Sequence, residues 1–334
     1  MTSKNSVVLF GLFSFSLLML VGAINYSVDP QCYYRCETIE SSKKTLNTYY
    51  QAAQRVTAFP ETELIILGSS RGETTSPLWV EKETGLKTLN LSVSGAELIT
   101  KLTLLKIAEE NAKVKKVIWL ADYFDLIGES ADSKIKNTPA LRKYFLSKTT
   151  EEGTVQKLKY LQSLVDHNTL EASLHFISNK EVTKITKGAG SELDISDCES
   201  ENFVGKETPE SLLKEVDLLY QNYSQGVLKP SQNPNSLKIF YDEMKRLKLL
   251  GVDVIILITP YHPEFLVRLK NEHPDIFEKH QTWIRALKSF EADGIKVVDS
   301  FPGIDEDDGS PKYWNDGVHF TCHYSIKMLS ESLK

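Results

Sequence analysis

The sequence predicts a doubly wound α/β fold, and three observations predict it. Short β-branched or apolar runs recur at Leu64–Leu67, Thr88–Leu91, Lys116–Ala121, Val252–Thr259 and Ile295–Val298, with little polar alternation. Parallel strands buried on both faces require such runs. Segments of helical periodicity separate them, as the crossovers of a parallel sheet must. Gly, Ser, Asp and His gather where the runs end, the edge at which such sheets collect their loops. With 334 residues, 41% of them apolar and 25% charged, the chain can bury one large core or two smaller ones.

The N-terminus is of another kind. Val7 to Ile24 carries no charge and is rich in Leu, Phe and Val, short for a membrane-spanning helix and long for the core of a signal peptide. Residues 1–24 are read as a membrane anchor. The alternative is removal after Ala23, because Val21-Gly-Ala23 fits the small-residue pattern of a cleavage site. Lys4 before the segment and the acidic bulk after it place the rest of the chain outside the cytoplasm, periplasmic or extracellular.

A net charge of −6, with no basic run beyond Lys113-Val-Lys-Lys116, excludes a nucleic-acid partner. Cys32 and Cys36 are close enough to bridge if the chain turns between them, leaving Cys198 and Cys322 as a second pair, although four cysteines allow three pairings. Metal and redox sites use similar spacings, but no second Cys or His cluster sits beside this one, and a structural disulfide is expected. Residues 25–60 read as a polar, aromatic spacer, with Lys43–Val56 helical.

The domain then occupies 61–334. Leu64–Leu67 leads to a helical stretch at Leu78–Glu83, and Thr88–Leu91 to an amphipathic helix from about Ala96 to Asn111, with Leu98, Leu102, Leu105 and Ala108 on one face. The third strand, Lys116–Ala121, is separated from the fourth by roughly 130 residues, too many for a simple crossover. Residues 128–234 are therefore read as a helical insertion, with helices near Val155–Val165 and Leu212–Tyr223 and a polar run at Lys187–Gly205. Leu237, Phe240, Tyr241, Met244, Leu247 and Leu250 then recur at helical spacing, and Gly251 stands where a C-terminal cap is expected. That stripe is core.

Four strand ends carry candidate chemistry. Gly68-Ser-Ser-Arg71 follows the first strand, where a strand-to-helix turn lifts a side chain above the sheet edge. Gly95, read as opening the helix after the second strand, exposes its N–H without a Cβ in the way. Trp119-Leu-Ala-Asp-Tyr-Phe-Asp125 ends the third strand, and Asp122 and Asp125 either line a pocket or cap the following turn. Asp316-Gly-Val-His319 lies near the C-terminus, at a spacing that seats a carboxylate beneath an imidazole and fixes its tautomer. Asp316, His319 and His323 form an alternative metal set, disfavoured because no third strong ligand is evident and Thr321-Cys-His-Tyr324 reads as a helix start. After the fourth strand, Tyr261 and His262 either meet substrate, with the tyrosine stacked on a sugar, or form a Pro-bounded turn.

These blocks, in this order, resemble the SGNH or GDSL-type hydrolase superfamily over roughly residues 62–334. The resemblance implies a flavodoxin-like sheet of about five strands. It makes Ser70, not Ser69, the nucleophile, Asp316 and His319 the orienter and general base, and Gly95 an oxyanion donor together with the Ser70 N–H. The superfamily's third block offers Gly-x-Asn where this chain has Leu120-Ala-Asp122. An ionised Asp122 only accepts hydrogen bonds and would repel an oxyanion. Arg71 is left holding the loop or a substrate carboxylate.

With the N-terminal anchor, the chain is similar to anchored members that act on envelope glycans, often beside a multispanning membrane acyltransferase. The function expected is a serine esterase or O-acyltransferase acting on a cell-surface glycan or other acylated substrate, with no cofactor or metal. The competing expectation is a non-catalytic envelope protein that keeps the fold and binds glycan or an acyltransferase partner.

Overall fold

The computed structural model describes residues 3–128, 132–144, 161–179, 185–188, 208–300 and 309–333. The chain forms two compact units, Met1–Gln54 with Ser133–Ile185, and Arg55–Asp132 with Thr186–Lys334. The second contains the sheet. Its strands are β1 (Leu64–Leu67), β2 (Thr88–Asn90), β3 (Lys116–Ala121), β4 (Asp253–Ile258) and β5 (Lys296–Asp299). All pair parallel in the order β2-β1-β3-β4-β5. This is the flavodoxin-like order, and its switch point lies between β1 and β3, where the edge opens a crevice for ligands.

The strands keep within about one residue of the predicted limits, the usual uncertainty of an element's end. β1 and β2 are buried throughout, and β3 and β4 after their first residue, as apolar runs covered on both faces should be. The helix Pro77–Thr84 packs on β2 and Pro234–Leu249 on β4, the second burying Phe240, Met244 and Leu247 of the predicted stripe. Leu237 and Tyr241 are only partly covered, and Leu250, which caps the helix end, is 64% exposed and not core. Gly251 takes φ +81°, a left-handed turn that a side chain would strain.

One helix start differs. The helix after β2 runs Leu98–Asn111 with Glu97 at its cap, so Gly95 does not open it. Gly95 sits instead in a turn closed by Ala96 N to Val93 O at 3.0 Å, with φ +74°. An extra turn of loop carries the chain across the sheet edge before the helix begins.

In the first unit, α1 (Ser3–Val28) is an apolar helix, long enough over Asn5–Val28 to cross a membrane. Beyond it, Asp29 accepts the backbone N–H groups of Tyr33, Tyr34 and Arg35 at 2.8–3.0 Å. This turn brings Cys32 and Cys36 together, and they form a disulfide. Cys322 is also disulfide-bonded, while Cys198, its expected partner, lies outside the described residues. The residues read as a spacer, 25–60, and as an insertion, 128–234, are each divided between the two units. The helix expected at Val155–Val165 and the run Lys187–Gly205 lie largely outside the described residues.

Candidate active site

β1 ends in Gly68, and the chain turns at once. A Cβ on Gly68 would stand 2.7 Å from Ser92 Oγ and 3.0 Å from Leu120 Cδ1, and one on Gly72 would overlap the same two side chains. Only glycine lets the loop after β1 lie this close to the ends of β2 and β3. Ser69 caps a short 3₁₀ turn, Ser70–Gly72, its hydroxyl accepting Arg71 N at 3.3 Å. As the first residue of that turn, Ser70 has no intrahelical acceptor for its N–H. The loop is held from the β2 side by Asn90, whose side-chain amide donates to Gly72 O and Thr75 O, both at 2.8 Å.

Ser70 Oγ lies 2.9 Å from His319 Nε2, although 249 residues separate them. His319 Nδ1 lies 2.7 Å from Asp316 Oδ2, and Asp316 Oδ1 accepts the N–H groups of Val318 and His319 at 2.8 and 2.7 Å. Burial alone would raise the Asp316 pKa. The His319 ring and the two backbone donors outweigh it and hold the carboxyl below its ordinary range. An ionised Asp316 keeps the Nδ1 proton in place and leaves the Nε2 lone pair facing the Ser70 hydroxyl. Side-chain exposures of 32% for His319 and 19% for Asp316 leave the set open to a ligand.

Asp122 does not line that opening. It is fully buried, with Oδ1 3.1 Å from Arg71 Nη1 and 2.7 Å from Thr259 Oγ1, and Oδ2 3.3 Å from Lys101 Nζ. Burial opposes its ionisation, but Lys101, Arg71 and hydrogen bonds from Thr259 and Ser69 prevail and hold the carboxyl below its ordinary range. Lys101 also donates to Leu120 O at 2.9 Å and pairs with Asp125 at 2.8 Å. Burial pushes Asp125 up to about 7. The expected bare carboxylate beside the nucleophile is thus a buried, charge-compensated strut.

Arg71 and His262 are likewise drawn inward. Arg71, 2% exposed, donates Nε to Val318 O at 2.9 Å, and its guanidinium stacks 4.5 Å from the Tyr261 ring centre. It holds the loop: one side chain ties the residue after Ser70 to the residue before His319. His262 is 3% exposed and caps the helix Pro263–Glu272, Nδ1 accepting Glu264 N at 3.2 Å while Nε2 reaches Gly309 O at 3.0 Å. That pair of bonds selects the neutral Nε2–H ring, and burial pushes its pKa down to match. Tyr261 is buried as well, stacked on Phe265, so neither residue is placed to meet a sugar.

Glu73 escaped the sequence reading. It stands three residues after Ser70, and its Oε1 accepts Ser94 N at 2.7 Å, clamping the turn that carries Gly95. Half-buried, its carboxyl is pushed up by desolvation, with the Ser94 N–H, His319 and Arg55 pulling the other way. The signal was available, because one helical turn puts residues i and i+3 side by side. Among the described residues no group of three or more His, Cys, Asp and Glu could hold a metal ion, and Asp316, His319 and His323 form none.

Behind Arg71, His280 packs between Tyr123, Tyr261 and Trp283 with ring centres 5.1–5.6 Å away. Burial, helped by the Arg71 charge, pushes its pKa from 6.5 down to about 3. Between those values the unfolded chain binds a proton that the folded chain refuses, so stability is lost as pH falls through this window. The expected slope from this one group is up to about 1.4 kcal/mol per pH unit. Urea midpoints measured from pH 6.5 to 4 should fall less steeply for His280→Phe than for the native chain.

No protein-family model matches the chain, and no curated protein matches it. Among solved structures, a protein from Streptococcus pneumonia, provisionally described as a platelet activating factor, is 13% identical, with a TM-score of 0.37, over 86% of this chain and 94% of that one. So distant a likeness carries no argument about family or chemistry.

Proposed function

We propose that the sheet-containing unit is a serine esterase or O-acyltransferase of the SGNH type. The observation that carries this reading is the continuous line from Ser70 Oγ through His319 to Asp316, at 2.9 and 2.7 Å. In the first half-reaction His319 Nε2 takes the Ser70 proton as Oγ attacks an ester carbonyl. The ring, now charged, is stabilised by Asp316. The Ser70 and Gly95 N–H groups hold the oxyanion. The tetrahedral intermediate collapses as the imidazolium protonates the departing alcohol, leaving an acyl-serine. Water, or a sugar hydroxyl, then accepts the acyl group by the same steps in reverse.

The objection raised by Asp122 is weakened, since its charge is matched by Lys101 and Arg71 in the interior. With it goes the main support for a non-catalytic binding protein. We read α1, long and apolar enough to cross a membrane, as an uncleaved anchor, and Lys4 before it as placing this unit on the extracytoplasmic side, where an envelope glycan or other surface-bound acyl ester would be the substrate. A multispanning acyltransferase is the partner such an arrangement would serve.

The test is covalent. A fluorophosphonate probe should label the native chain once, with the adduct on the peptide containing Ser70, and should leave Ser70→Ala unlabelled. An unlabelled native chain, or an adduct elsewhere, would overturn the serine mechanism.

A further inference from the structure

The first unit contains a helix turned inside out. His167–Ser178 packs against α1 through its small polar residues: Thr169 and Ser173 are buried, and Ser173 Oγ donates to Asn25 Oδ1 at 2.9 Å. Asn25, 1% exposed, donates in turn to Leu164 O at 2.8 Å. At 100° per residue, Leu170, Leu174 and Ile177 form a stripe immediately beside this contact, while Asn168, Glu171 and His175 form a third, polar sector. Leu174 and Ile177 are 49% and 57% exposed, and Leu161 and Val165 just before the helix are 61% and 45% exposed.

A water-facing helix puts its leucines inward. Small polar residues between helices, with the large apolar ones outside, are what packing in lipid favours. The helix meets α1 at Asn25, and α1 itself exposes large apolar side chains from Val7 at 70% to Met19 and Leu20 at 60% and 58%. Depth follows from length. At 1.5 Å per residue, Asn5–Val28 spans about 36 Å against a hydrocarbon core of about 30 Å, so Asn25 lies at its edge. Tyr26 and Tyr34, with ring centres 5.6 Å apart, cluster at that same end of α1, where aromatic residues favour the membrane boundary.

We propose that the helix His167–Ser178, with Leu161 and Val165, lies in the boundary between lipid headgroups and acyl chains, so that this unit holds a phospholipid bilayer at a second place besides α1. The polar sector faces water, and the stripe enters the acyl region by one side-chain layer. The inference rests on α1 being an uncleaved anchor.

The experiment uses the full chain reconstituted into phosphatidylcholine vesicles, with and without acyl-brominated phosphatidylcholine. Leu174→Trp and Ile177→Trp probe the stripe, and Glu171→Trp probes the polar sector. The native chain, with four Trp, provides the background. The added emission of Leu174→Trp and Ile177→Trp should be shifted to the blue and lost on brominated lipid, while that of Glu171→Trp stays water-like and unquenched. Water-like emission at all three positions, in a chain that vesicles retain after an alkaline wash, would overturn the proposal and leave the anchor standing. Blue-shifted but unquenched emission that follows protein-to-lipid ratio would assign the stripe to a second copy, and would also overturn it. Release of the chain by the alkaline wash would overturn the anchor and the proposal together.

Discussion

Ser70→Ala is expected to lower turnover of an activated ester by on the order of 10⁴–10⁶-fold, with His319→Ala falling by a similar factor. The reason is geometric. Nucleophile and base act as one proton-transfer unit across the 2.9 Å contact, so neither retains most of its rate advantage without the other. The double variant should therefore be no slower than either single one, and additive losses would show that the two residues do not act together. Asp316→Asn should lose about 10³–10⁴-fold, because an amide no longer enforces the Nδ1–H tautomer. Ser70 is half-exposed at the start of a turn, and its loss should change unfolding free energy by no more than about 0.5 kcal/mol. Initial rates, with urea unfolding alongside, separate chemical from structural damage.

Lys101→Met is expected to have the largest effect on stability. The ammonium is wholly buried and serves Leu120 O, Asp122 and Asp125 at once. Methionine fills the volume and supplies no charge. Asp122 would keep Arg71 and Thr259, and Asp125 would keep Trp119 Nε1 and the Asp122 N–H. One buried carboxylate would still lack its counter-ion, a loss of about 3–5 kcal/mol for broken pairs of this kind. Lys101→Met/Asp125→Leu, which removes both members, should recover part of it. Urea midpoints measure both variants, and a Lys101→Met chain as stable as the native one would show that the network does not hold the strand ends together. Because Asp122 in turn holds Arg71, the variant should also weaken the alignment of Ser70 with His319.

Much of this was legible in the residues themselves. Leu64–Leu67 and Lys116–Ala121 are strands in the structure at the predicted limits, because an unbroken apolar run can be satisfied only by cover on both faces. The pair Asp316 and His319 was legible because its contact is local, three residues along one turn. Gly95 was misplaced by a few residues, since a loop's path across a sheet edge leaves little trace in periodicity. Asp122, Arg71 and His262 stand at strand ends, and that observation leaves each open as a pocket group or as a cap, loop or turn residue; the structure takes the second in every case. Which way each side chain turns was not in that observation.

What the sequence alone determined is the alternation of elements, the apolar N-terminal helix and the residue types at each strand end, all governed by interactions within a few residues. The tertiary structure decided the rest. Asp122 meets cations and a hydroxyl that lie 51, 21 and 137 residues away, and Ser70 meets its histidine across 249. A carboxylate's role depends on the charge beside it and the water it keeps. Both are set by which strands become neighbours, and no local pattern contains that.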